Sequence, residues 1–380
     1  MKHYIIALLF AFIITSCGND APDGPVSPDE VSRTVLVYIA GNNSLGYGYD
    51  EKDIAEMEDA VKAGALNGGR LLVFHADVSG SPKLMEVTER GLVDIKEYGD
   101  GLSSVSIASM KNVFADMRLV APADDYGLVL WSHATGWIDN NRSPEAKVNR
   151  SWGIDGSKEM AIPDLGKALK NEHFSFIYFD CCFMGNIESL YEIGNATDYV
   201  VASPAETPLD GMPYNLNVSC FFEKTPNLVK AAKNTFDVYD ALSGRSRSCT
   251  MSVYDMSRIN EVAIAAREIM LSNNLPVSGY VQQQYGTSSF SDKFYDLTHY
   301  MKSLTADTQL LAAYEAAMNK FVIYEAHTPQ MALTLPAVDL NNCHGLSCYI
   351  VKKDSGSEFI PARYDSLRWW TDVVAPAFGL

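Results

Sequence analysis

Positive charge is scarce in this sequence. The 30 lysines and arginines face 47 aspartates and glutamates, leaving a formal charge of -17 and a pI near 4.8. That balance repels phosphate backbones and anionic lipid, so bulk electrostatics exclude nucleic acid and membrane surfaces as partners while leaving cationic substrates open. Histidine is rare too, with 7 in 380 residues. No two sit at the short helical or hairpin spacing of zinc ligands, and no metal site is expected from them. The 7 cysteines are too thinly spread for a stapled scaffold. The spacing leaves open a pairing of Cys343 with Cys348, or of Cys220 with Cys249. Stability must come from a core, which 47% hydrophobic residues can build as one large domain or two smaller ones. No repeat of fixed period occurs.

The opening "MKHYIIALLFAFIITSCGND" is a basic residue, an apolar run and then small residues. It reads as a signal peptide, too short and wrongly flanked for a spanning helix. "IITSC" resembles a bacterial lipobox, which makes Cys17 the expected lipidation site, with residues 1–16 removed. Residues 17–32 are acidic and rich in Pro, Gly and Ser, as befits a flexible tether. Residues 33–380 form the remaining domain, with a segment 33–215 and a buttressing part 216–380.

From residue 34, short apolar runs alternate with amphipathic stretches. "TVLVYIAG" (34–41), "RLLVFHAD" (70–77), "YGLVLWSHA" (126–134), "FSFIYFDCC" (174–182) and "DYVVASP" (198–204) read as buried strands. Residues 50–66, 103–120, 162–172 and 187–195 read as the helices between them. Acids crowd the first turn of the 50–66 segment, where the helix dipole favours them. This order predicts an α/β/α sandwich around a mainly parallel sheet. Beyond residue 216, helices are expected at 227–243, 258–274 and 304–326, and strands at 249–256, 330–338 and 345–353.

Two of these strands run straight into polar residues, one into His133 and one into Asp180, Cys181 and Cys182. In an open parallel sheet the carboxyl ends of strands are where ligands and catalytic groups collect. A thiol attacks carbonyls as thiolate, and an imidazole beside it can take its proton. The helix expected to start nearby should lower the thiol pKa further.

Four segments, "VLVYIAGNNSLGYGYDEKDIAEME", "YGLVLWSHATGW", "FIYFDCCFMGNIESLYEI" and "YVVASPAETPLDGMPYN", taken in order, resemble the clostripain family of cysteine peptidases. The resemblance implies a caspase-like fold, a His/Cys dyad and cleavage after basic residues. His133 then matches the family histidine and Cys182 its nucleophile, while Cys181 stands where alanine is usual. Strand alternation puts Asp180 on the face of Cys182 and Cys181 on the other. Asp180 resembles the acid at the floor of the pocket for the residue preceding the cut, where a carboxylate selects Arg or Lys. Glu206 and Asp210 are further candidates for that pocket. The backbone amides of Cys182 and Ala134 are the expected oxyanion donors. Ala134 replaces the family's usual glycine and cannot adopt positive φ cheaply.

The polar stretch 138–155 carries Arg142, Lys147 and Arg150, and self-cleavage at Lys147 or Arg150 is expected of a basic-specific peptidase. No cofactor is implied. Calcium is associated with the family, but "DEKD" at 50–53 lacks an EF-hand pattern and reads as helix N-terminal acids. The expected protein is a monomeric, exported, lipid-anchored endopeptidase of a bacterial cell envelope, acting on proteins or peptides with exposed Arg or Lys. The rival is a surface lipoprotein of the same fold that has lost turnover and binds peptides or glycans.

Overall fold

In a computed structural model, residues 32–138, 152–272, 280–287, 293–351 and 364–379 are described. In chain order the elements are β1 (Arg33–Ala40), α1 (Tyr49–Lys62), β2 (Arg70–Ala76), β3 (Lys83–Thr88), β4 (Gly91–Glu97), α2 (Ile107–Val120), β5 (Asp125–Trp131), β6 (Trp152–Asp155), β7 (Lys158–Met160), α3 (Ile162–Leu169), β8 (Phe174–Asp180), α4 (Ile187–Ile193) and β9 (Thr197–Ala202). The chain continues with α5 (Tyr214–Phe221), α6 (Leu228–Asp240), β10 (Thr250–Asp255), α7 (Ile259–Ser272), β11 (Tyr295–Asp296), α8 (Leu297–Leu304), α9 (Thr308–Phe321) and β12 (Val322–His327).

The central sheet has 9 strands in the order β12, β10, β9, β8, β5, β1, β2, β3, β4. Its middle is parallel from β9 through β2. Both edges are antiparallel. β1 is buried at every position, which only a strand covered on both faces requires. Its side chains alternate between two cores. Leu36 and Tyr38 join Phe114, Trp152 and Leu165 on one face. Val35 and Val37 join Met57, Val218 and Ala231 from α1, α5 and α6 on the other. The predicted sandwich is therefore present, and the C-terminal half extends the same sheet through β10 and β12.

Several local expectations differ from the structure. Hairpin β3/β4 went unread because β4 is mostly exposed and has no apolar period. The helix expected to run through residue 326 ends at Phe321, and the β-branched Val322 and Ile323 open β12 against β10 instead. The strand expected at 330–338 is instead a turn whose two ends pair, Gln330–Met331 with Val338–Asp339. Of the strand expected at 345–353, among the described residues only Ser347–Cys348 pairs as a strand, with β11. Cys181, Cys182, Cys220, Cys249, Cys343 and Cys348 are all free thiols. The two open pairings are not made: Cys220, Cys249, Cys343 and Cys348 each pack as small buried groups.

Candidate active site

Because β1, β5, β8 and β9 are adjacent and parallel, the loops after them meet on one rim. A cleft of about 500 Å3 opens there, lined by Ser44 after β1, His133 and Ala134 after β5, Cys182 after β8, and Glu206 and Thr207 after β9. Leu333 and Thr334, in the turn that replaced an expected strand, reach the same cleft.

His133 is anchored through its neighbours. The Ser132 hydroxyl donates to the Ala40 carbonyl at 2.7 Å and accepts from the Ile154 amide at 3.1 Å. The His133 carbonyl accepts from the Gly153 amide at 2.9 Å. Its imidazole Nε2 lies 2.8 Å from the Ser44 hydroxyl, a partner that sequence reasoning missed. The signal was present in the polar run "GNNS" (41–44) leaving a buried strand at the same rim as His133. Asn43 shapes that run, donating to the carbonyls of Ala40 and Ile154 and accepting from the Leu45 amide.

The nucleophile candidate is presented by a strained turn. Phe183 has φ 59, a left-handed conformation costing a bulky residue about 1–3 kcal/mol. Its surroundings leave no alternative. Its amide donates to the Ala205 carbonyl at 2.8 Å, its carbonyl accepts from Asn186 Nδ2 at 2.5 Å, and its ring stacks on Phe294 at 4.5 Å. Asn186 also caps α4 through the Ser189 amide at 2.8 Å. The Cys182 thiol accepts from the Thr207 amide at 3.3 Å. Burial pushes it up to about 11, with the charges of Glu206 and Asp180 adding to the rise against that amide bond. The expected lowering by a helix N-terminus does not occur, since α4 starts five positions on and its cap is satisfied by Asn186. The resting group is a thiol, and a thiolate has to be made by proton transfer to a base.

Alternation holds only as far as the strand does. Cys181 packs with Ile177 and Phe179 in one core, while Asp180 turns to Met212 and Tyr214 on the other side. β8 ends at Asp180, however, and Cys182 packs toward the layer of Cys181. The expectation that Asp180 and Cys182 share a face is therefore corrected.

Asp180 is buried and accepts from the Met212 amide at 3.1 Å and the Tyr214 hydroxyl at 3.1 Å. Gly211 crosses it at φ 62, where a Cβ would fall 2.9 Å from the carboxylate, so only glycine fits. Two further acids lie nearby, Asp53, bonded to Trp131 Nε1 at 2.7 Å, and Glu56, bonded to the Tyr214 amide at 2.9 Å, of which Glu56 adds negative charge beside Asp180. Burial holds both Asp180 and Asp53 above the usual carboxylate range; the Asp180 charge adds to the rise at Asp53. Asp180 thus lies behind the segment 211–214 and does not line the cleft. Asp210 is exposed, ion-paired with Lys52 at 2.6 Å, and also off the cleft. Of the three acids proposed for substrate, Glu206 alone lines it.

Ala134 is buried and lines the cleft without a left-handed backbone; the positive φ of this segment falls on Gly136. The glycine expected at 134 is not needed for chain geometry. Asp50, His75 and Asp77 each bring one ligand atom within 4.8 Å of the others. Asp50 is bonded there to His75 Nε2 at 2.7 Å, and Asp77 closes its own turn on Val78 and Ser79. Cys17, Arg142, Lys147 and Arg150 lie outside the described residues. Among the described residues no helix is long and apolar enough to cross a membrane.

A family model described as the clostripain family matches residues 37–372. The chain belongs to the clostripain family. It is similar to a secreted C11 cysteine protease from Bacteroides thetaiotaomicron solved with an irreversible peptide inhibitor, at 31% identity and TM-score 0.77, over 90% of this chain and 98% of that one. It is similar also to an inactive zymogen C11 protease from Parabacteroides distasonis, at 28% identity and TM-score 0.77, over 92% and 99%. A second secreted Bacteroides thetaiotaomicron C11 protease, "iotapain", shares the fold at 21% identity and TM-score 0.78, over 91% and 99%. No curated protein sequence matches the chain. This clostripain-family member is a cysteine-type peptidase with the caspase-like fold.

Proposed function

We propose that the chain is an exported endopeptidase cutting after Arg or Lys, with Cys182 as nucleophile and His133 as general base and acid. The observation that carries this reading is that His133, held by Ser44, and Cys182 line one cleft. The imidazole takes the thiol proton as sulfur attacks the scissile carbonyl, and the amides of Cys182 and Ala134 receive the oxyanion. His133 returns the proton to the leaving amine. It then activates a water that hydrolyses the thioester.

Selection of a basic residue rests on Asp180, deepened by Asp53 and Glu56. A guanidinium reaching it would gain bidentate bonds and relieve the crowding of like charges. Met212 and Tyr214 hold that carboxylate now, which fits a resting form that opens on maturation. Cleavage at Lys147 or Arg150 is the proposed trigger, and Cys17 the proposed lipid anchor of a monomer on the cell envelope.

Peptidyl acyloxymethyl ketones ending in Arg, Lys, Asp or Ala test this reading, with the labelled residue located by mass spectrometry. Labelling of Cys182 by the Arg and Lys probes alone is expected. Equal labelling by all four, or labelling elsewhere, overturns the basic specificity. Lys147→Ala with Arg150→Ala should leave one uncut polypeptide of low activity, and full activity without cutting would rule out processing.

A further inference from the structure

The cleft contains carboxylates that this mechanism does not use. Glu206 lines it, as does Glu159 from β7, and among the described residues no lysine or arginine lines it. Glu206 directly precedes Thr207, whose amide donates to the Cys182 sulfur at 3.3 Å. The Glu206 carboxylate is hydrogen-bonded to Thr334, and Leu209, Leu333, Phe183 and Ile154 supply apolar wall to the same cleft. Such a lining suits a long basic side chain, whose aliphatic stem lies along apolar surface while its charged end meets the acid. Asp180 is already occupied by Met212 and Tyr214 behind the cleft, so the two carboxylates sit in separate environments.

We propose that Glu206, supported by Glu159, forms a second cation subsite reading a basic side chain next to the residue at which the substrate is cut. The favoured substrates are then peptides with paired basic residues. This rests on the peptidase reading above and adds a second determinant to it. It also couples binding to chemistry. A cation docked on Glu206 offsets the negative charge beside Cys182 and eases thiolate formation, so the paired residue raises kcat as well as lowering KM.

The test uses the mature chain and four peptides of equal length: one Arg at the cut, Arg-Arg before the cut, Arg on both sides of the cut, and one Arg at the cut with a second several residues away. One of the two paired arrangements should be cut about tenfold more efficiently than the single-Arg peptide, the size of one charge-assisted hydrogen bond. Glu206→Gln should bring that ratio close to one, and Glu159→Gln should lower it in part. In free Glu206→Gln the pH profile of Cys182 alkylation should move to lower pH, because a nearby negative charge has gone; a merely structural role would not move it. Equal ratios in wild type and Glu206→Gln would overturn the proposal. So would an equal gain from the distant Arg, since a net charge of -17 attracts any cation at low salt. Single-Arg cleavage without a paired advantage removes the second subsite alone. Absence of all cleavage and of Cys182 labelling removes the peptidase reading with it.

Discussion

Glu188→Gln should make the protein more stable above neutral pH and leave it nearly unchanged in acid. Glu188 is in the first turn of α4, the helix that follows the strained turn at Phe183, and it is fully buried. One carboxylate oxygen accepts from the Tyr349 amide at 2.7 Å and the Tyr364 hydroxyl at 3.1 Å. The other is buried with no hydrogen-bond partner among the described residues. Both tyrosines pack their rings on Trp137, with centroids 5.0 and 4.7 Å away. Burial pushes Glu188 up to about 7 from 4.5, against those hydrogen bonds. A carboxyl so raised stabilises the fold fully below about 4.5, and this contribution is lost as pH rises through about 7. The shift corresponds to roughly 3 kcal/mol between the two protonation states. Glutamine keeps the accepting oxygen and cannot ionise. Urea unfolding at several pH values should show the variant's advantage growing from near zero at about pH 5 to a few kcal/mol at about pH 9. Parallel stability curves for the two proteins across that range would refute the assignment of a buried, ionising Glu188.

Other consequences are as direct. Ser44→Ala should lower kcat about tenfold with little change in KM and should shift the acidic limb of the pH profile, because Nε2 of His133 loses its partner at 2.8 Å; an unaltered profile would mean Ser44 does not position the imidazole. Asp53→Asn should raise stability at pH 8, since burial and the Asp180 charge push Asp53 up to about 9 and the carboxyl must take up a proton on folding at that pH, a cost the amide avoids while leaving an acceptor for Trp131; a fall in the unfolding midpoint would contradict this. Arg33→Ala should cost about 3–5 kcal/mol, because the buried guanidinium ties β1 to Asp125 and to the carbonyls of Phe221 and Glu223; a loss under 1 kcal/mol by urea titration would show the tie to be dispensable.

The sheet, and the rim on which His133 and Cys182 line one cleft, were legible because both rest on short-range pattern. β1, β5 and β8 are continuous apolar runs, and a run that ends in His133 or in Asp180-Cys181-Cys182 announces a site at the carboxyl rim. Ser44 was legible only as part of the polar run that leaves β1 at that rim; which residue of the run meets His133 was not, since the bond spans 89 positions. Covering of Asp180 was hidden for the same reason, being set by where Gly211 and Met212 cross it rather than by any residue near it in sequence. The thiol's environment reversed an expectation from local sequence: proximity to α4 promised a lowered pKa, whereas burial, with the Glu206 and Asp180 charges, raises it. The end of α9 was misplaced where a helical period runs into the β-branched Val322 and Ile323, whose pairing with β10 only the fold supplies.

The most direct test of the central claim is hydrolysis of fluorogenic peptides ending in Arg, Lys, Asp or Ala by the wild-type chain, Cys182→Ala and His133→Ala in reducing buffer. The account predicts cleavage after Arg and Lys that both substitutions abolish. Turnover that survives Cys182→Ala, or that is as fast after Asp or Ala as after Arg, would contradict it.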